Sequence, residues 1–284
     1  MLPIKTKDGL KERHIEVSDH EEEDDEEEKE EQPKPTKATA GGKAEEEEED
    51  EVRPGTEVSV VELYARRKEI LAEKKIIIGS LAASFLEVPE ERLMNLEKLV
   101  KLVDAVQQDS VVLSVQRLAA ASVLEVLKDV TPGYRIFHQD TGEKLKKETL
   151  RLQKYEAGLL KCYKLYLLKL ERVINVFKKH GKVSRSPVEV KQAEFFLSCM
   201  CQLLVAHPHF NFATNILHAV TPILTSAHEA ARTTVKRSLE EVFRGDMRGE
   251  ISLEAARLIN HLVKTRKHNV RTEVVDVLRA LRSV

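Results

Sequence analysis

Residues 58–91 read VSVVELYARRKEILAEKKIIIGSLAASFLEVPEE, and their spacing sets the fold class. The apolar residues Val60, Leu63, Tyr64, Ile70, Leu71, Ile77, Ile78, Leu81 and Phe85 recur at three- and four-residue steps, the period of one helix face. Gly79 is the only weak helix former inside the run, and Pro89 with Glu90-Glu91 behind it predicts the start of a second helix. That helix carries Leu93, Leu96, Leu99, Val100 and Val103 on one side. A third is predicted over 111–130, with Leu118-Ala119-Ala120-Ala121 at its centre suited to close helix approach. Glu143 or Lys144 opens the longest, reaching His180 with Gly181 as its cap and Gly158 as the expected kink; Pro187 opens another over 187–206.

The remainder divides into two helix pairs that look alike. Ala213, Ile216, Leu217 and Val220 match Ala255, Leu258, Ile259 and Leu262 at an offset of 42, and Ala231, Val235, Leu239 and Val242 match Val270, Val274, Leu278 and Leu281 at an offset of 39. Offsets near 40 with two helices each predict an all-α, irregular HEAT/armadillo-like α-solenoid over 58–284, with an ordinary helical bundle as the alternative. The apolar pattern runs into the last residues, VVDVLRALRSV, where a polar cap would be usual.

Upstream of this body the composition changes. Residues 1–58 hold 22 acidic and 9 basic side chains, leaving 26 and 37 in the rest, so the formal net charge of −2 hides two opposite fields. The runs EEEDDEEEKEE at 21–31 and EEEEEDE at 45–51 have almost no apolar surface to offset chain ordering, so 1–57 reads as a mostly disordered acidic segment. Cys162, Cys199 and Cys201 make no disulfide framework, and no apolar run approaches the roughly 18–20 residues of a membrane helix. No membrane partner is expected.

Catalytic and cofactor signatures are missing. No phosphate-cradling glycine loop, HExxH, GxSxG or CxxC occurs. Glu156, Glu171 and Glu194 lie on highly charged helices, His218, His228 and His261 belong to different elements, and no nucleophile, base and orienting group form a set. Cys199, Cys201, His207 and His209 lack the spacing of zinc ligands, because Cys-x-Cys places its sulfurs about 200° apart on a helix. The expectation is a non-enzymatic protein with no catalytic residue, metal or cofactor.

Two sets of residues remain as candidate contacts. Lys178, Lys179, Lys182 and Arg185, with Lys264, Arg266, Lys267 and Arg271, sit at predicted helix ends or loops where they would meet phosphate, although a solvated helix face explains them as well. The word TPGYRIF at 131–137 ends a helix: Pro132 donates no hydrogen bond and biases Thr131 away from helical geometry, and Gly133 offers a positive φ. Pro132, Gly133, Tyr134 and Arg135 then form either a structural loop, with Tyr134, Ile136 and Phe137 pinned inward and Arg135 paired to a carboxylate, or an exposed anchor for protein or rRNA. The restricted turn favours the inward reading.

Four blocks carry a family resemblance. LPIKTKDG at 2–9, RRKEILAEKKIIIGSLAASFLEVPEE at 66–91, VLEVLKDVTPGYRI at 123–136 and RLQKYEAGLLKCYKLYLLKLE at 151–171 resemble, in order and spacing, the N-terminal domain of the nucleolar complex-associated protein 3 family. The resemblance implies a helical, HEAT-like protein of the nucleus and nucleolus without catalytic activity. It implies assembly with a nucleolar complex-associated protein 2 family member on precursors of the large ribosomal subunit, with rRNA as a further contact, and links to chromatin and to the initiation of DNA replication. A chromatin-associated replication adaptor and a general helical transport or trafficking adaptor stand as the alternatives. Members usually carry a Lys-rich extension before the first block and further helices past the position of Val284, so a fragment of a longer protein is one reading of this chain.

Overall fold

A computed structural model describes residues 4–6, 9–11, 59–104, 111–137, 146–178 and 186–281. The chain divides into two units, 1–56 and 57–284. In the first, β1 (Ile4–Thr6) and β2 (Gly9–Lys11) form an antiparallel hairpin with Ile4 opposite Lys11 and Thr6 opposite Gly9. The sequence reading missed this hairpin. The expected disorder of the acidic runs lies outside the described residues.

The second unit is all-α. Its helices are α1 (Val60–Glu87), α2 (Leu93–Lys101), α3 (Val112–Val130), α4 (Lys147–Ile174), α5 (Pro187–Ala206), α6 (Ala213–Val220), α7 (Glu229–Gly245), α8 (Glu250–Thr265) and α9 (Thr272–Asp276). Tight 3-10 turns extend four of them, at Leu102–Asp104, Asn175–Phe177, Thr221–Thr225 and Val277–Ala280. Odd-numbered helices stack in series, α1 on α3, α3 on α5, α5 on α7 and α7 on the 277–280 turn. Even-numbered ones form a second row in which α2 packs on α4 and α6 on α8. Each helix pair therefore buries its apolar faces against its neighbours, a solenoid-like stacking of helix pairs.

Local chemistry sets the boundaries. Ser186 caps α5 by accepting from the Val188 N–H at 3.3 Å, and Pro187 occupies the first turn, where its missing N–H is no loss. The second helix starts at Leu93 rather than Pro89, because Pro89–Glu91 form the turn itself. Arg92 holds that turn against α1, donating to the Ser84 carbonyl and hydroxyl and pairing with Glu87 at 2.5 Å. α4 is shorter than expected; its final turn tightens so that Phe177 is buried, with its ring edge-on to His228 at 5.2 Å. Gly158 interrupts nothing, and a Cβ there would overlap the Leu93 side chain. Glycine serves close approach of α4 to α2.

The stripe that opened the sequence analysis is buried over only part of its length. Ile78 and Phe85 are core, and Ile70, Leu71 and Leu81 pack against it, but Val60 is 81% exposed and Tyr64 72%. The reason is length: α1 has 28 residues and spans about 42 Å, whereas α2 has 9 and spans about 14 Å, so the apolar face outruns its covering helices. In α3 the alanine centre belongs to the core. Ala119 and Ala120 are fully buried, and the Tyr166 hydroxyl from α4 donates to the Ala120 carbonyl at 2.8 Å.

Candidate functional site

The loop after α3 is fixed by backbone before it offers any side chain. Thr131 is extended at φ −70°, ψ 122°, as a residue before proline must be, and its N–H still closes the helix on the Leu127 carbonyl at 3.0 Å. Gly133 has no positive φ, so the expected glycine turn is not what this loop uses. A Cβ at Gly133 would meet nothing within 4 Å. The fixing group is Asn211, on the connector between α5 and α6. Its Oδ1 accepts from the Ile136 N–H at 2.9 Å, and its Nδ2 donates to the Ile136 carbonyl at 3.0 Å.

Asn211 is itself flanked by two phenylalanines whose rings pack on one tyrosine. The next residue, Phe212, has φ 67°, a left-handed conformation unusual for a bulky side chain. Packing supports it: Phe212 stacks on Tyr163 at 6.2 Å and Phe210 meets the same ring edge-on at 5.1 Å. His207 Nε2 donates to the Lys128 carbonyl at 3.1 Å, which ties the connector to the end of α3, and burial pushes its imidazole pKa down. Sequence reasoning treated His207 and His209 as rejected metal ligands and passed over Asn211 between them and α6. A lone asparagine carries no periodic signal.

Of the three side chains expected to pin the loop inward, only Ile136 is buried, at 3% exposure. Tyr134 is 56% exposed and Phe137 73%, so the inward reading of these two aromatics is overturned. The Asn211 clamp explains why: with the backbone held from one side, the core needs no second anchor. Tyr134 lies along α4, its hydroxyl donating to Glu156 Oε1 at 2.8 Å. That bond, with minor help from burial and the Glu156 charge, raises the phenol pKa. Tyr155, raised by burial first, also feels Glu90 and Tyr134, so two tyrosines and two carboxylates share this corner. Arg135 is exposed, and the expected carboxylate partner is not found among the described residues.

The basic candidates are only partly free. Lys178 pairs with Glu171 at 3.2 Å, and Lys179, Lys182 and Arg185 lie outside the described residues. Arg266 turns inward and donates to Thr225 Oγ1 at 3.4 Å. Lys264, Lys267 and Arg271 are exposed around the α8–α9 turn, where Lys267 and His268 have positive φ of 50° and 65°. Phe177, just before Lys178, packs on His228 and Arg266 reaches Thr225, so these two residues both adjoin the turn that opens α7.

Groups suited to covalent chemistry are sealed. Burial pushes the Cys162 and Cys199 thiols up to about 11 and Cys201 to about 12, leaving all three protonated near neutral pH. Cys201 lines a groove of about 530 Å³ between α5 and α7 that contains no histidine. His209 Nε2 lies 3.4 Å from Asp246, a carboxylate otherwise bonded to backbone N–H groups. Among the described residues no cluster of His, Cys, Asp or Glu would hold a metal ion, and no helix is long and apolar enough to cross a membrane.

Comparison with known proteins adds a family. Residues 73–166 match the family model described as nucleolar complex-associated protein. The chain is similar to nucleolar complex protein 3 of Drosophila melanogaster, 35% identical over 229 residues that make up 79% of this chain and 28% of the relative. The nucleolar complex protein 3 homolog of Mus musculus is 32% identical over 81% of this chain and 29% of its own length. Nucleolar complex-associated protein 3 of Arabidopsis thaliana is 30% identical over 76% and 24%. The chain thus spans less than a third of these relatives, and the matched 73–166 segment contains the Pro132–Phe137 loop.

Proposed function

Because the chain belongs to the nucleolar complex-associated protein 3 family, we propose that it is a non-enzymatic scaffold of the nucleolus that assists assembly of large ribosomal subunit precursors. The family match carries this reading. Physical support comes from the site: exposed Tyr134, Arg135 and Phe137 on a clamped loop are contact residues, while the buried thiols and dispersed histidines offer no reaction. The stacked pairs, with matched apolar positions about 40 residues apart, fit HEAT/armadillo-like repeats that display surface along their length. The proposed partners are a nucleolar complex-associated protein 2 family member and the precursor particle, with rRNA phosphate meeting Lys264, Lys267 and Arg271.

Affinity capture of the native full-length protein tests this. Recovery of large-subunit precursor RNA with its assembly factors is the expected result. Recovery of replication-origin factors or cargo receptors without precursor RNA would overturn it, as would a hydrolase or transferase activity that follows the folded protein.

A further inference from the structure

The N–H and C=O of one residue point to the same side only in extended backbone, where neighbouring residues point theirs the opposite way. The paired bonds from Ile136 to the Asn211 amide, at 2.9 and 3.0 Å, therefore make Ile136 a one-residue strand whose partner is a side chain. Two consequences follow from that geometry. The N–H and C=O of Arg135 and Phe137 face away from Asn211, and they have no hydrogen bond among the described residues. Side chains alternate as well: Ile136 is buried and Tyr134 lies on Glu156, while Phe137 is 73% exposed and Arg135 is exposed beside it.

We propose that Arg135–Phe137 is a docking edge for an extended segment of a partner polypeptide, which adds along the backbone edge facing away from Asn211 and sets a carboxylate against Arg135 and an apolar side chain against Phe137. Strand addition draws affinity from main-chain bonds and specificity from alternate side chains, the two features this edge presents. The clamp matters because a segment already held extended loses little freedom on binding. Polypeptide is favoured over nucleic acid because the groups left without a partner among the described residues are amide donors and carbonyl acceptors in strand register. A three-residue edge is one part of a larger contact, and the inference rests on the scaffold reading for its partner.

The test uses native full-length protein and large-subunit precursor particles purified from the same cells, measured before and after RNase treatment. Phe137→Ala and Arg135→Glu should each lower RNase-resistant association by about tenfold, the effect of an interface hot spot, with unchanged urea midpoints. Asn211→Ala, a positioning variant, should weaken association while leaving both contact side chains in place, and should speed hydrogen exchange at the Ile136 amide. In the wild-type complex the Phe137 amide should become protected from exchange. Full association of both contact variants, or association without protection at Phe137, overturns the docking edge and leaves the scaffold reading standing. A defect of the two contact variants that is seen only before RNase treatment reassigns the surface to RNA and overturns it too. A wild-type protein that joins no particle overturns both readings.

Discussion

Matched positions in the two C-terminal helix pairs have different fates. Ile216 and Val220 of α6 are about 1% exposed, whereas Leu258 and Leu262, their counterparts in α8, are half-buried. Leu239 and Val242 of α7 are buried, while Leu278 is half-buried and Leu281 is 36% exposed. Three matched positions agree, Ala213 with Ala255, Leu217 with Ile259 and Val235 with Val274, all buried. The first pair lies between neighbours, with α6 against α5 and α8, and α7 against α5 and the 277–280 turn. Among the described residues the second pair is covered from one side. A repeat pattern thus specifies which face is apolar, while burial depth is supplied by whatever stacks on that face.

The largest effect that tests this contrast is a cavity at one matched position set against the same change at the other. Leu239→Ala should lose about 2–5 kcal/mol, because a fully buried leucine leaves both lost transfer energy and an unfilled hole. Leu278→Ala should lose about 1 kcal/mol, since part of its surface already meets solvent. Urea unfolding of the two variants measures the difference. Equal losses would mean that the second pair is covered as deeply as the first.

A smaller effect concerns the joint between the pairs. Asp246 follows α7, and its carboxylate accepts from the Arg248 and Gly249 N–H groups at 3.2 and 3.0 Å and from the Ser252 N–H at 2.8 Å, sealing the first turn of α8. Asp246→Ala should cost about 1–2 kcal/mol, as loss of a helix cap does. Burial alone would raise this acid, but the bonds from Ser252 and Gly249 and the nearby His209 outweigh it, and the net pKa falls below 3.8. The stability it confers is therefore complete above the unfolded-state pKa and is lost as pH falls through the folded one. Asp246→Asn should flatten that acid limb of the unfolding curve, and an unaltered limb would remove Asp246 from the joint.

Much of this was legible in the residues. Pro187 placed the start of α5 to the residue, and three- and four-step spacing identified the faces that α2, α6 and α7 bury. What stayed hidden depended on neighbours far away in sequence. Periodicity cannot state that α2 is too short to cover Tyr64, or that Gly158 faces Leu93 rather than a kink. The loop failed for a related reason. Pro132-Gly133 correctly ended α3, but the direction of Tyr134 was decided by Asn211, 75 residues beyond Ile136, and by Glu156 on α4. The short hairpin at 4–11 was overlooked because a run of three-residue strands has too few apolar positions to show alternation.

The smallest expected effect is the sharpest test of one-sided cover. Val275 stands at the position matched by Lys236, whose Nζ lies 3.6 Å from Asp276 and 4.0 Å from Glu240. Val275 is 51% exposed, so writing the first pair's residue into the second removes little buried surface. Val275→Lys should change stability by no more than about 0.5 kcal/mol, the range of an ordinary surface substitution. Arg279, four residues on and 84% exposed, contributes a like-charge penalty of a few tenths of a kcal/mol at most. Unfolding and sedimentation of the same variant address different contacts. If another copy or another segment covers this face, a lysine ammonium would be buried without a partner, and either the midpoint or the oligomeric state would shift well beyond that range. Such a shift would make the difference between the two pairs one of missing neighbours rather than of exposure, and the half-buried Leu258, Leu262 and Leu278 would then count as core.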